Sequence, residues 1–186
     1  MRVQVGPHPP ENQGFHEAIE YFIRACPGPL VAEQGLRIAA YQRIRGIVEL
    51  KDGSAARRHG LDAERKPYVR SLRAVANELP VSAGSLSASA RRRGYSYSKA
   101  LRWIRFLHVI AMREEGVPAL QAIWWAGFSD PSGWTRFVQT LVGKGPSQLP
   151  RVPLGFWVRW AVEAVYMSED GTDLPAEWDE SDGKDK

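Results

Sequence analysis

Hydrophobic and polar positions follow a helical period along most of this chain. Phe15, Ala18, Ile19, Phe22, Ile23 and Cys26 fall at i, i+3, i+4, i+7, i+8 and i+11, which places all six on one face of an amphipathic helix. The run Pro27-Gly28-Pro29 stops it. A second helix is predicted over about residues 31–50, with Leu36, Ala40, Ile44, Ile47 and Val48 as its buried stripe. Lys51-Asp52-Gly53-Ser54 reads as a turn, and residues 55–67 as a basic irregular segment with Arg57, Arg58, Arg65 and Lys66. From Ser71 onward, helical stretches are punctuated by Pro80, Gly94, Gly116-Val117-Pro118, Gly127, Gly143 and Pro150. No stretch alternates convincingly as a strand does, so the expected class is all-α.

Two stretches between residues 71 and 143 repeat one plan: a short apolar-striped helix, a turn, and a capped second helix. In the first, Leu72, Val75, Ala76 and Leu79 make the stripe, and small Ala76 admits close packing of the next helix. Ser82 is placed to cap that helix by accepting a backbone N–H, with Leu86 and Ala90 inward and Arg91-Arg92-Arg93 at its end. In the second, Leu120, Ile123 and Trp124 line a short helix. Gly127 supplies a turn position where φ > 0 costs little, and Phe128 plugs the turn. Asp130 before Pro131 reads as an N-cap followed by proline at the first helical position. The helix Pro131 to Val142 would bury Trp134, Val138 and Leu141, show Ser132, Thr135, Arg136 and Gln139 on its other face, and end at Gly143. This is the plan of a helix-turn-helix, whose second helix enters the DNA major groove.

Residues 98–115 join the two units through a helix of roughly 27 Å at 1.5 Å per residue, against about 34 Å for one turn of B-DNA. Its Leu101, Trp103, Ile104, Phe106, Leu107, Val109 and Ile110 wrap nearly all round, as expected of a helix buried by both units. Residues 154–167 pack Leu154, Phe156, Trp157, Trp160, Ala161, Ala164 and Val165 into one more helix, which needs a surface to cover it.

Charge adds a partner to this picture. Residues 71–151 carry 11 Lys/Arg against 4 Asp/Glu, a net +7, whereas residues 168–186 carry 2 against 8, a net −6. The basic stretch points to a polyanion, with double-stranded DNA the first candidate. The acidic tail is expected to be disordered, and residues 1–14 to form a flexible arm. No apolar run approaches the roughly 18 residues of a membrane span, and residues 1–10 lack the apolar core of a signal peptide. A cytoplasmic protein is the expectation, at the nucleoid if DNA is the partner.

Residues 71–150 resemble the AraC/XylS family of bacterial transcription regulators, whose DNA-binding domain is two helix-turn-helix units on a central helix. The likeness is strongest from Gly127-Phe128-Ser129-Asp130-Pro131-Ser132 through Thr135-Arg136 to Gly143-Lys144-Gly145-Pro146-Ser147, with Trp134 and Val138 standing for two family phenylalanines. Gly94, Ser96-Tyr97 and Arg105 match the entry and the arginine of the family's linker helix.

The resemblance implies base reading by Pro131, Ser132, Thr135 and Arg136, of which Arg136 alone has the reach for a bidentate guanine contact. The corresponding positions of the first unit are Gly84, Ser85, Ser87 and Ala88. Arg91, Arg92, Arg93, Lys99 and Lys144 are phosphate candidates.

The chain also departs from the family. Ala90 stands where the family has a large aromatic, and one residue is missing before Gly94. Either Ile123 or, with a one-residue deletion, Trp124 occupies the family's small-residue position. A core completed by the 154–167 helix would account for the tryptophans. Alternatively, Trp124, Trp125, Trp157 and Trp160 form an exposed apolar patch, the mark of a protein-partner site.

Only 70 helical-looking residues precede the resembling region, where many family members carry a β-barrel effector domain. No small-molecule effector is therefore expected. His8, His16, His59 and His108 have no metal or catalytic spacing, and Cys26 closes an apolar stripe. Glu114-Glu115 diverge on a helix, and no phosphate-cradling loop occurs. Neither enzymatic activity, metal nor cofactor is expected.

The expected organisation is an arm (1–14), a helical extension (15–70), a first unit with linker helix (71–115), a second unit (116–151), an aromatic helix (152–167) and an acidic tail (168–186). The leading functional expectation is a sequence-specific transcription regulator that binds double-stranded DNA, with a homodimer or protein partner through the N- or C-terminal helices. A protein-interaction module on the same scaffold and a DNA-binding accessory protein without sequence choice are the alternatives.

Overall fold

Four of the described helices begin at side-chain caps that lie three residues before the amides they satisfy. Ser71, Ser82, Ser96 and Asp130 accept backbone N–H groups from Ala74, Ser85, Lys99 and Gly133, each replacing a bond that the first helical turn lacks. The computed structural model describes residues 14–51 and 71–166, with the backbone alone for 42–51. Eight α-helices and one short 3-10 turn stand among the described residues, with no strand. They are α1 (Phe15–Ala25), α2 (Leu30–Lys51), α3 (Leu72–Asn77), α4 (Ala83–Arg92), α5 (Tyr97–Glu114), α6 (Ala119–Trp125), α7 (Pro131–Val142), the 3-10 turn (Pro146–Gln148) and α8 (Leu154–Tyr166). The protein is all-α in these residues. The expected arm, the turn and basic segment after residue 51, and the acidic tail lie outside them, as do the side chains of Ile44, Ile47 and Val48.

One hydrophobic core runs through all of these α-helices. Its centre is α5, where Trp103, Ile104, Phe106, Leu107 and His108 are buried and Arg105 between them is half-buried. A helix apolar on all but one strip must be covered nearly all round, and each large side chain so covered contributes about 1.5–3 kcal/mol. The two flanking units were the expected cover, with the 154–167 helix as the candidate to complete the core. α8 makes the most extensive contact with α5, and α2 adds another.

Polar bonds pin this arrangement. On α5, Tyr97 Oη donates to the Ala32 carbonyl at 2.7 Å, and His108 Nε2 donates to the Ala40 carbonyl at 2.9 Å. The two tethers occur in the same order on both helices, so α2 and α5 run in the same sense. His108 also packs against Phe15, with ring centroids 4.5 Å apart, and is a core histidine. At the C-terminus of α1, whose last carbonyls have no helical partner, Tyr166 donates to Ala25 and Tyr95 to Cys26. Cys26 is buried, which pushes its thiol up and away from reactivity.

The closest backbone approach is at Gly35 of α2. A β-carbon there would overlap Tyr97 Oη and stand 2.8 Å from Val75 Cγ1 and 3.1 Å from Leu79 Cδ1. The absence of a side chain is what lets α2 seat on α3 and α5. Gly35→Ala should therefore lower stability by about 1–3 kcal/mol in urea unfolding, despite alanine's better helix propensity. Gly84→Ala, where the added carbon would meet only Ser82 Oγ at 3.7 Å, should be neutral or stabilising by up to about 1 kcal/mol. Equal effects at the two positions would contradict this seating.

Candidate functional site

The short connection between α6 and α7 is built from four backbone and side-chain constraints. Gly127 takes φ 79°, a conformation that costs glycine little, and the amides of Gly127 and Phe128 bond back to Trp124 and Ile123. Phe128 folds inward and packs on Trp134 at 5.3 Å and Phe137 at 5.1 Å. Arg105 donates from Nε to the Ala126 carbonyl at 2.9 Å and lays its guanidinium 3.5 Å above the Phe128 ring. The start of α7 is thereby locked to the middle of α5.

Asp130 then sets the first turn of α7. Its carboxylate accepts the Gly133 N–H at 2.7 Å, the Ser129 hydroxyl at 3.0 Å and the Ser132 hydroxyl. These bonds, that of Ser132 foremost, push the carboxyl down to about 2. Trp134, Val138, Leu141 and Val142 are buried, and Gly143 ends the helix at φ 78°. The outward face carries Pro131, Ser132, Arg136 and Gln139, all exposed, with Thr135 half-buried.

Two of these side chains are already engaged. Ser132 gives its proton to Asp130, and Thr135 gives its proton to the Pro131 carbonyl at 3.1 Å. Arg136 is the cation on this face, with a fork suited to guanine or phosphate.

On α4, Ser85 is exposed but bonded to Ser82 through the hydroxyls at 2.9 Å, and Ser87 is half-buried. Arg91, Arg92 and Arg93 stand exposed at its C-terminal end, where the helix dipole also favours them. Lys144 is half-buried. Lys99 corrects the expectation of a phosphate contact: its ammonium nitrogen is enclosed by protein, out of reach of an external anion.

The tryptophans divide differently from the expected patch. Trp157 is 1% and Trp160 5% exposed, so neither belongs to a surface. They pack edge-on to α5, Trp157 on Phe106 at 5.0 Å and Trp160 on Trp103 at 5.2 Å. Trp125 is half-buried against the core, and Trp124 is 54% exposed beside Leu120 at 43%. The phase of α6 is thus a correction: Ala122 and Ile123 face inward, whereas Leu120 and Trp124 face out. Residues 119–126 are apolar at all positions but Gln121, so periodicity gave no way to choose a buried face.

One feature escaped the sequence reading. A cleft of about 400 Å³ between α5 and α7 is lined by Arg102, Arg105, Arg136, Phe128, Phe137 and Thr140, among others. The available signal was the i, i+3 pair of arginines on a mostly apolar helix, which places Arg102 and Arg105 on one side. Among the described residues no three His, Cys, Asp or Glu side chains gather as a metal would require, and no helix is long and apolar enough to cross a membrane.

Because the folded carboxyl of Asp130 lies below its ordinary value of 3.8, its contribution is fully present above that pH and is lost as pH falls through about 2. The wild-type chain should therefore be more stable than Asp130→Asn at neutral pH and lose that advantage over this window, as measured by urea unfolding of both. An advantage that persists unchanged to pH 2 would show that the charge plays no part in the cap. No protein-family model, curated protein or solved structure matches this chain.

Proposed function

We propose that this chain is a sequence-specific, double-stranded DNA-binding transcription regulator of AraC type, with the pairs α3–α4 and α6–α7 acting as tandem helix-turn-helix units on the linker helix α5. The observation that carries the reading is α7. Its start is fixed by Asp130 and by the Arg105–Phe128 stack, one face is sealed in the core, and the other offers Ser132, Arg136 and Gln139 to solvent. A helix held this way loses little freedom on entering a groove.

Three further observations favour it. Inward Ile123 and outward Trp124 fit the ungapped alignment to the family signature. α2 packs on α3 and α4 and so supplies the first unit with a third helix. Arginines of α4, α5 and α7 supply six of the eleven Lys/Arg in the basic 71–151 stretch.

In this reading Arg136 makes the principal base contact, and Ser132, Thr135 and Pro131 shape its approach. The α4 helix, poor in long polar side chains, contributes position more than sequence choice, through Arg91, Arg92 and Arg93 on phosphates. The protein acts without cofactor or small-molecule effector, in the bacterial cytoplasm.

A second reading, a protein-interaction module, is favoured by exposed Leu120 and Trp124, one turn apart on α6. Equilibrium binding to a fluorescent random-sequence duplex over a salt series separates the two. DNA binding predicts log K falling linearly with log salt, by about 0.9 per neutralised phosphate, and a slope shallower by up to about 3 when Arg91, Arg92 and Arg93 are all changed to Ala. No binding even at low salt would reject the DNA reading in favour of the α6 surface.

A further inference from the structure

The C-terminal end of α8 is seated against the turn that follows α4. The Ser96 N–H donates to the Val165 carbonyl at 3.3 Å, and the Tyr95 and Tyr166 rings pack with centroids 5.8 Å apart. Tyr166 Cδ1 stands 4.0 Å from the point a β-carbon would take on Gly94. Gly94 directly follows Arg91, Arg92 and Arg93, which are exposed and take part in no ion pair among the described residues. The Tyr166 hydroxyl donates to the carbonyl of Ala25, the residue after exposed Arg24. Glu163, the described acid nearest in sequence to Tyr166, is exposed and pairs with none of these arginines.

The chain therefore leaves α8 beside the arginine triplet, and what it carries next is the opposite charge. Residues 168–186 hold 8 Asp/Glu against 2 Lys/Arg, and the first acid, Glu169, comes three residues after Tyr166. Three residues span at most roughly 11 Å, so the earliest carboxylates are within reach of guanidiniums on the adjoining turn. A segment tethered this close acts at an effective concentration of about a millimolar, against which a free anion must compete. One exposed ion pair contributes little and is screened over about 8 Å at physiological salt, whereas several acids on one short segment act together.

We propose that residues 168–186 dock in cis on the Arg91–Arg93 corner and compete there with external polyanions, an autoinhibitory contact. Control of DNA binding by this contact rests on the proposed function, in which these arginines hold phosphates. The contact and its competition with polyanions do not.

Two measurements on the full chain test this. Ala176→Cys carries a nitroxide label, Cys26 being buried, and paramagnetic broadening is read at the amides of residues 91–94. Fluorescent heparin oligosaccharide is titrated at low salt. Both are run with the native tail and with its eight acids changed to Asn or Gln, each with and without Arg91→Ala, Arg92→Ala and Arg93→Ala together.

The contact predicts broadening that falls at least about twofold with either change, and also in about 1 M salt, where the screening length is about 3 Å. Heparin affinity should rise about tenfold when the tail is neutralised, and by about twofold or less on the triple-alanine background. If heparin follows this pattern and random-sequence duplex binds no form of the chain, the contact stands and the DNA reading fails. If duplex repeats the heparin pattern, the tail controls DNA binding. Equal broadening in all four chains, no heparin binding with either tail, or the same rise on both backgrounds overturns the proposal, whether or not duplex binds.

Discussion

A helix covered on all but one narrow strip dictates the rest of this molecule. Because α5 is buried on all sides but one strip, which carries Ser98, Arg102 and Arg113, no two-helix partner can seal it, and the chain must bring cover from both ends. α2 reaches it from one side through a glycine contact and two side-chain tethers, and α8 reaches it from another with its tryptophans. The aromatic rings then form a continuous path. Trp160 meets Trp103, Trp103 meets Phe106, and Phe106 stacks on Trp134 of α7 at 5.9 Å. Interiors packed at this density transmit displacement instead of absorbing it, so the pose of α7 depends on α8 as well as on its own turn.

The same economy governs polar groups near α7. Asp130, Ser129, Ser132 and Thr135 are bonded to one another or to the backbone, which leaves Arg136 and Gln139 as the exposed long polar side chains of α7. In the proposed function, a surface built in this way would recognise charge and fork geometry first, and sequence through few contacts. Arg136 lies at the border between the outward face of α7 and the α5–α7 cleft.

Local chemistry was well written in the sequence. Ser82 and Asp130 announced their caps, Gly127 and Gly143 their left-handed turns, and the 3.6-residue period the inward faces of α1, α4 and α7. What escaped were features decided by tertiary contact. The phase of α6 had no local signature because nearly every residue in it is apolar. Trp157 and Trp160 read equally as surface or core until α5 was seen to lack cover. Lys99 looked like any basic residue at a helix start, yet its nitrogen is enclosed. The cleft joins Arg102 to Arg136 across 34 residues, a distance that no spacing rule spans.

In the proposed function α5, an 18-residue helix largely buried in the core, holds two groove-reading helices at a fixed separation. Selection of bound duplexes from a random pool by the purified chain at physiological salt tests it most directly. Two short motifs are expected with centres about 10 base pairs apart, the one read by α7 being the more strongly selected. Salt-sensitive binding that enriches no sequence at all would contradict it.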